Sequence, residues 1–291
     1  MFGKSIFSKI NGLLNQRFNE RGILIAVHRG SFGGNIIENT LPAFKVALQQ
    51  GGDMIEIDLA KSTDGAIYLF HDGGEPRLLN ETDNITTMDS SRIAGLSYYN
   101  SLFCRTNTKL DRLEQVLPHL KGDTLINIDR AWDFWPELVE ILDQHDMMNQ
   151  LILKGPVNKE TLEFFDNYEK KYMFMPIVYS VQEIETVLSY TNINLVGMEL
   201  IVKTDSDPLF QNDVIERLHE QNLFVWANAI TLDDYTFLYG GLDDDTSIIQ
   251  SPDLGWGKII EKKVDIIQTD WPSLLSPYRN ERLKQIELHR S

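Results

Sequence analysis

The sequence predicts an α/β protein built as one closed (β/α)8 TIM barrel, and three observations carry that expectation. The chain has 291 residues, more than an average domain but suited to a barrel of about 250 residues. Eight short apolar runs recur along it, and helix-like segments lie between most of them, the alternation that makes a parallel sheet. No internal repeat or low-complexity linker divides it, so residues 1–291 are expected to form a single domain.

Residues 1–21 carry Phe2, Ile6, Phe7, Ile10, Leu13 and Leu14 among Lys4, Lys9, Arg17 and Arg21, the pattern of an amphipathic helix. It suits a helix packed on the barrel's bottom better than one attached to a membrane surface. It lacks the continuous apolar core of a signal peptide. A cytoplasmic protein is therefore expected, with peripheral membrane contact through 1–21 as the alternative. Residues 23–27 read as the first strand. Residues 41–48 follow as a helix, with Leu41, Phe44, Ala47 and Leu48 at helical spacing, Asn39 as N-cap and Pro42 in the first turn.

The second strand is placed at 54–59. The polar stretch 73–122, with Gly73, Gly74 and Pro76, reads as an insertion in the loop after it. Further strands are placed at 124–128, 151–153, 174–179, 195–201, 223–227 and 264–267, and helices at 136–147, 159–170, 181–190 and 208–221. Residues 231–257, containing Gly240, Gly241 and the acidic run 243–245, form a second long excursion. In a barrel such loops build the active face.

Composition narrows the function. Acidic residues outnumber basic ones 43 to 27, a net charge of −16 that repels nucleic acid and anionic membranes. No apolar run approaches the roughly 18 residues of a membrane span. Cys104, the single cysteine, excludes an intramolecular disulfide and a cysteine-rich zinc site. An anionic substrate would need local positive charge at its site.

Chemistry concentrates in the first quarter of the chain. The first strand ends in His28-Arg29-Gly30, and Glu38-Asn39-Thr40 opens the next helix. The second strand reads Ile55-Glu56-Ile57-Asp58, so Glu56 and Asp58 share a face about 6.6 Å apart. Two carboxylates buried together repel unless a cation stands between them, and all-oxygen ligation points to magnesium or calcium. Asp64-Gly65 fits a two-residue hairpin loop, and an unbroken ladder from it sets His71 across from Asp58. His28 is a second candidate acid or base, and Arg29 carries a planar charge suited to phosphate oxygens. His119, His145, His219 and His289 read as surface residues. Glu199 is expected to point inward from the sixth strand, orienting substrate or pairing with a cation in the barrel. Trp226 and Trp271 end the last two strands, where they stack on a substrate's carbon skeleton or pack the core.

This succession of motifs, with His71-Asp72 closing it, resembles the glycerophosphodiester phosphodiesterases over residues 24–72. Farther on, 224–228 and 264–272 resemble that family's last two strands. The resemblance implies a (β/α)8 enzyme that uses a divalent cation to hydrolyse glycerophosphodiesters to glycerol 3-phosphate and an alcohol. It implies His28 and His71 as the acid/base pair, Arg29 on the phosphate, and Glu56 and Asp58 on the metal. The implied nucleophile is a neighbouring glycerol hydroxyl, giving a cyclic phosphate that water opens.

The third strand departs from the family's Glu-x-Lys pair, reading Asn127-Ile128-Asp129-Arg130-Ala131. If Asp129 replaces the Glu, the Lys position falls on Ala131; if Asn127 replaces it, Asp129 reverses the charge there. Asp129 is preferred as third metal ligand, because a hard cation favours a carboxylate over an amide. Lys154, ending the next strand, then supplies the missing charge near the phosphate. Phospholipase C and sphingomyelinase D resemble the same barrel and stand as alternatives, as does a degenerate barrel that only binds a phosphorylated ligand. A glycosidase pair of carboxylates leaves the histidines and the arginine unexplained.

Overall fold

The structure, a computed structural model, describes residues 1–233 and 235–290, apart from the side chains of residues 287, 289 and 290. Its strands are β1 (Leu24–Val27), β2 (Met54–Lys61), β3 (Ile67–Leu69), β4 (Leu125–Asp129), β5 (Leu151–Pro156), β6 (Met173–Val178), β7 (Gly197–Leu200), β8 (Phe224–Asn228) and β9 (Ile266–Thr269). They form one sheet in the order β1-β9-β8-β7-β6-β5-β4-β2-β3, and β1 also pairs with β2, which closes the ring. Every pair around the ring is parallel, while β3 hangs antiparallel on β2. The eight ring strands are the barrel expected from the sequence.

Helices α1 (Gly12–Arg21) and α2 (Leu41–Gln49) flank β1. After β3 come α3 (Glu75–Leu78), α4 (Ser90–Gly95) and α5 (Leu113–Leu120). Then α6 (Trp135–Leu142), α7 (Lys159–Asn167), α8 (Val181–Leu188), α9 (Asn212–Glu220), α10 (Trp256–Glu261) and α11 (Pro272–Arg290) follow in turn. None of the described helices is long and apolar enough to cross a membrane.

Strand alternation sorts every strand into two faces. Ile25, Val27, Ile55, Ile57, Ile126, Ile128, Leu151, Leu153, Val225 and Ile267 point outward into the core shared with the helices. Inside, a lower layer is apolar: Leu24, Ala26, Met54, Leu125, Ile152, Met173, Phe224, Trp226 and Ile266. Two and four residues farther along the same strands the inward face turns polar. There Glu56 sits beside Asn127, Asp58 beside Asp129, and Glu199 beside Trp226. The barrel is thus filled with hydrocarbon at its N-terminal end and with charge at its C-terminal end.

The helix expected over residues 1–21 is shorter: only Gly12–Arg21 is α-helical, and Ile6 is exposed. Phe2, Ile10, Leu13, Leu14 and Phe18 close the bottom all the same. Leu14 is fully buried against the inner layer, with Phe2, Ile10, Leu13 and Phe18 packed around it. Phe2 stacks on Phe224 at 4.0 Å, and Asn11 and Asn194 exchange two side-chain hydrogen bonds of 3.0 and 2.9 Å.

Three local expectations change. The hairpin loop has three residues rather than two, because Ser62 N donates to Ala66 O and Gly65 adopts φ +89°, a conformation glycine takes at no steric cost. The register therefore slips by one: Phe70 N, not a group of His71, bonds Asp58 O. Asn39 is not the N-cap of α2. It stands at φ +54° with Thr40 as cap, and its amide is drawn to Asp58 instead. Finally, the stretch 73–122 is not all loop. It carries α3, α4 and a small core of its own around Leu78, Leu79, Ile85, Met88 and Tyr98, while α5 returns Leu113, Val116, Leu117 and Leu120 to the main core.

Candidate active site

The C-terminal ends of β1, β2, β4 and β9 bring the polar residues together. His28 follows β1, and its Nδ1 lies 2.9 Å from Asp270 Oδ1 just beyond β9. Those residues are 242 positions apart, and barrel closure is what joins them. Burial alone would lower the His28 pKa, but the hydrogen bond and charge of Asp270 hold it above the ordinary value. Asp270 is held in turn by Asp244, which accepts from Asp270 N at 2.8 Å, from Thr269 Oγ1 at 2.7 Å and from Trp256 Nε1 at 2.7 Å.

His71 sits half-buried beyond β3. Its Nδ1 is 2.7 Å from the carbonyl oxygen of Asp72, which only accepts, so Nδ1 carries the proton. Burial pushes its pKa below the ordinary value, with Arg29 and Arg130 opposing the pull of Asp58. Arg130 reaches across from the end of β4 to Asp72 at 2.8 and 2.9 Å. The two histidines are therefore pushed in opposite directions.

Arg29 lies between them in the left-handed region, φ +55°. Its backbone N–H donates to Glu56 Oε2 at 2.9 Å, its Nε lies 2.8 Å from Asp58 Oδ2, and its Nη1 donates to Glu38 Oε1 at 3.0 Å. Asp58 also accepts from Asn39 Nδ2 at 3.0 Å, while Asp58 N donates to Asn39 Oδ1. Burial would raise the Asp58 pKa, but Arg29 and His71 hold it below the carboxylate range. Glu56 bears the consequence: burial and the neighbouring Asp58 charge push it up to about 8. Of two coupled carboxylates, the one beside the guanidinium keeps the charge and the other keeps the proton.

Beneath these groups runs a second polar network. Lys154 Nζ is fully buried, 2.9 Å from Glu199 Oε2 and 3.5 Å from Asp129 Oδ2, and stands 4.2 Å over the Trp226 ring. Asn228 Nδ2 donates to Glu199 Oε1, and Trp226 Nε1 donates to Asn228 Oδ1 at 2.7 Å and Gln268 Oε1 at 3.2 Å. Burial pushes Asp129 up to about 6, against the pull of Lys154. Lys154, Glu199 and Trp226 thus support the floor of the site and do not line its mouth. Trp271, 49% exposed, does face the solvent at the active end.

As they stand, no three acidic, histidine or cysteine side chains among the described residues are gathered to hold a metal ion. The donor set nevertheless fits a hard cation: Glu56, Asp58 and Asp129 present only carboxylate oxygen, and the buried Glu56 accepts from the backbone N–H of Arg29 and is pushed up by burial and the Asp58 charge. Asn127, level with Glu56, leaves its buried Oδ1 without a hydrogen-bond partner.

Several contributors had no separate signal in the sequence. Glu38, Asp72 and Asp270 lay inside recognised motifs without a role, and Arg77, which pairs with Glu38 at 2.7 and 2.8 Å, lay in the insertion. Away from the site, His219 is not a plain surface residue. It is half-buried, with Nε2 2.9 Å from Asp265 Oδ2 at the barrel's bottom. His119 is exposed and His145 half-exposed; the side chain of His289 lies outside the described residues.

A family model described only as a domain of unknown function matches residues 174–279. A lysophospholipase D of Rattus norvegicus is 26% identical over 191 residues, covering 62% of this chain and 59% of that protein. The chain thus spans about three fifths of that relative's length. A glycerophosphodiester phosphodiesterase of Bacillus altitudinis is 44% identical over 61 residues, 21% of this chain and 23% of the relative. The solved structure of an Oleispira antarctica phosphodiesterase in complex with the product sn-glycerol-3-phosphate superimposes with a TM-score of 0.65 at 18% identity, covering 91% of this chain and 99% of that one. In barrel architecture over most of its length, and in sequence over shorter stretches, the chain resembles the glycerophosphodiester phosphodiesterases.

Proposed function

We propose that the protein hydrolyses glycerophosphodiesters to glycerol 3-phosphate and an alcohol, using His28 and His71 as acid and base around a divalent cation. The observation that carries this reading is the pair of imidazoles at one barrel mouth with opposed environments. Groups whose surroundings push their pKa values apart are the natural acid and base of a site.

His71 donates a hydrogen bond from Nδ1–H to a carbonyl and has a lowered pKa, so its Nε2 is left as a proton acceptor. It serves as the base that takes the proton of the attacking glycerol hydroxyl, and water then opens the resulting cyclic phosphate to glycerol 3-phosphate. His28, anchored through Nδ1 by Asp270 and raised in pKa, carries a proton on Nε2 and delivers it to the departing alkoxide. Arg29 is the phosphate ligand, and its backbone N–H and Nε hold Glu56 and Asp58 in place. Glu56, Asp58 and Asp129 would hold magnesium or calcium. Such an ion, when bound, supplies charge that offsets the negative phosphodiester oxygens. Lys154, Glu199 and Trp226 act from below by fixing Asp129. The product named for the Oleispira antarctica structure supports the reading.

The test is release of glycerol 3-phosphate from glycerophosphocholine and glycerophosphoethanolamine, before and after EDTA and with magnesium or calcium restored. Release that stops with EDTA and returns with an ion is expected. No release from either diester with either ion overturns the proposal.

A further inference from the structure

The excursion after β8 buries a carboxylate to which the proposed reaction gives no role. Asp244 is 1% exposed. Its Oδ1 accepts from Trp256 Nε1 and from Thr269 Oγ1, each at 2.7 Å, and its Oδ2 accepts from Asp270 N at 2.8 Å. All three donors are neutral groups. Burial pushes the Asp244 pKa up to about 7, so a carboxylate at this position carries an electrostatic cost.

The excursion holds that carboxylate still. Asp244 N donates to Ala229 O at 2.6 Å, just past the end of β8. Ser247 Oγ donates to Asp243 O at 2.6 Å and accepts from Trp256 N at 2.9 Å. Gly255 fits there only without a side chain, because a Cβ would collide with Ser247 Oγ. Trp256 itself is buried in the main core.

On its other side the carboxylate pins the last residue of β9 and the two that follow. Thr269 Oγ1 accepts from Trp271 N at 2.9 Å and spends its own proton on Asp244, while Asp270 N bonds the second oxygen. Asp270 depends on this support. Its side chain is 30% exposed, so water competes for the carboxylate that bonds His28 Nδ1, and its aim is set by how its backbone is held.

Building on the proposed acid role of His28, we infer that Asp244 is a positioning residue that acts through Asp270 to hold the His28 imidazole in its working orientation. The excursion after β8 is then part of the construction of the site.

Asp244→Asn tests this at nearly constant volume. Whichever way the amide turns, its NH2 faces a group that also donates, Asp270 N–H or Trp256 Nε1–H, and the hold on the turn is broken. With glycerophosphocholine as substrate, kcat should fall about tenfold while KM stays within about twofold of wild type. In an Asp270→Asn background the same substitution should change kcat less than about twofold, because the path it acts along is already cut. Trp256→Phe loses one bond to Asp244 but spares the one to Asp270, so it should melt lower with kcat near wild type. If Asp244→Asn does not fold, Thr269→Val removes the hydroxyl from the same turn and carries the same pair of kinetic expectations. An equal loss of kcat in both backgrounds overturns the inference, as does a raised KM with kcat unchanged. A second reading needs no turnover: the Nδ1–H proton resonance of His28 should move in Asp244→Asn as it does in Asp270→Asn, and an unmoved resonance also overturns the inference. If it moves while neither glycerophosphocholine nor glycerophosphoethanolamine is hydrolysed, the positioning role stands and the proposed reaction falls.

Discussion

At the bottom of the barrel Asp53 accepts from Ile25 N at 2.9 Å, from Arg279 Nη1, and lies 3.1 Å from Arg21 Nε, while Arg279 Nη1 also donates to Ile23 O at 2.8 Å. At the top Glu38, Glu56, Asp58, Asp129 and Glu199 share Arg29, Arg77 and Lys154, and Glu56 is left pushed up to about 8. Both ends bury carboxylates, but only the lower one closes its charges. Asp53 and Asp265 each stand just before a strand and cap an N–H of the neighbouring strand, Ile25 and Val225. They act as struts. The upper cluster keeps an excess of negative charge where a cation and an anionic ester are proposed to meet, so it stores unfavourable electrostatics that binding would relieve.

The largest effects should separate the two ends by kind. His71→Ala and His28→Ala are each expected to lower kcat/KM about 10³-fold, the usual worth of a positioned acid or base, while thermal melting stays near wild type. Steady-state kinetics paired with melting curves checks this. Near-normal turnover in either variant would falsify the acid/base pair.

Stability should show the opposite polarity. Asp53→Ala strands Arg279, which is 1% exposed on its side chain, and is expected to cost about 3–5 kcal/mol in denaturant unfolding. Glu56→Gln should melt at or above wild type without added metal. With its pKa pushed up to about 8, Glu56 is held protonated at neutral pH, and that costs stability which is recovered as pH falls toward the ordinary carboxylate value. Added magnesium or calcium should raise the wild-type melting temperature and leave Glu56→Gln unmoved. Equal losses in the two variants would erase the distinction between strut and site.

These contrasts also explain what was legible beforehand. The facing of Glu56 and Asp58 against Ile55 and Ile57 follows from the two-residue period of any strand, so the sequence carries it directly. The hairpin register was missed by one residue because Gly65 at φ +89° changes the loop length, and the same Asp-Gly pair serves both loops. The Asp270–His28 bond depends on closure of the ring across the whole chain, which local pattern does not encode. Asn39 has the residue type that commonly caps helices, but β2 lies alongside and Asp58 takes its amide. The sequence places Trp226 at a strand end, yet it stands mid-strand in β8 with Lys154 over its ring, and only packing reveals the order of layers.

The pH profile sharpens the upper half of the comparison. kcat/KM should rise on its acid side as His71, lowered in pKa, loses its proton, and fall on its basic side as His28, raised in pKa, loses its own. Asp270→Asn removes the carboxylate that favours the imidazolium, so the basic limb should move to lower pH while the acid limb stays. A basic limb that does not move would mean that Asp270 only packs against His28.

The smallest effect lies at the bottom, in His219 and Asp265. The hydrogen bond to Asp265 raises the His219 pKa, whereas Asp265 itself is raised by burial with His219 only partly reversing it. The pair therefore offsets the cost of a buried carboxylate. A histidine raised in the folded state contributes stability that is fully present below its unfolded pKa of about 6.5 and is lost as pH rises through the folded value. His219→Gln also loses a ring contact with Phe2, but that loss does not vary with pH. Unfolding at pH 5.5 should thus separate wild type from His219→Gln by up to about 1 kcal/mol more than at pH 8.5. A gap that stays constant across this range would show that His219 holds the bottom by packing alone, and that charge closure there rests on Asp53 and its arginines.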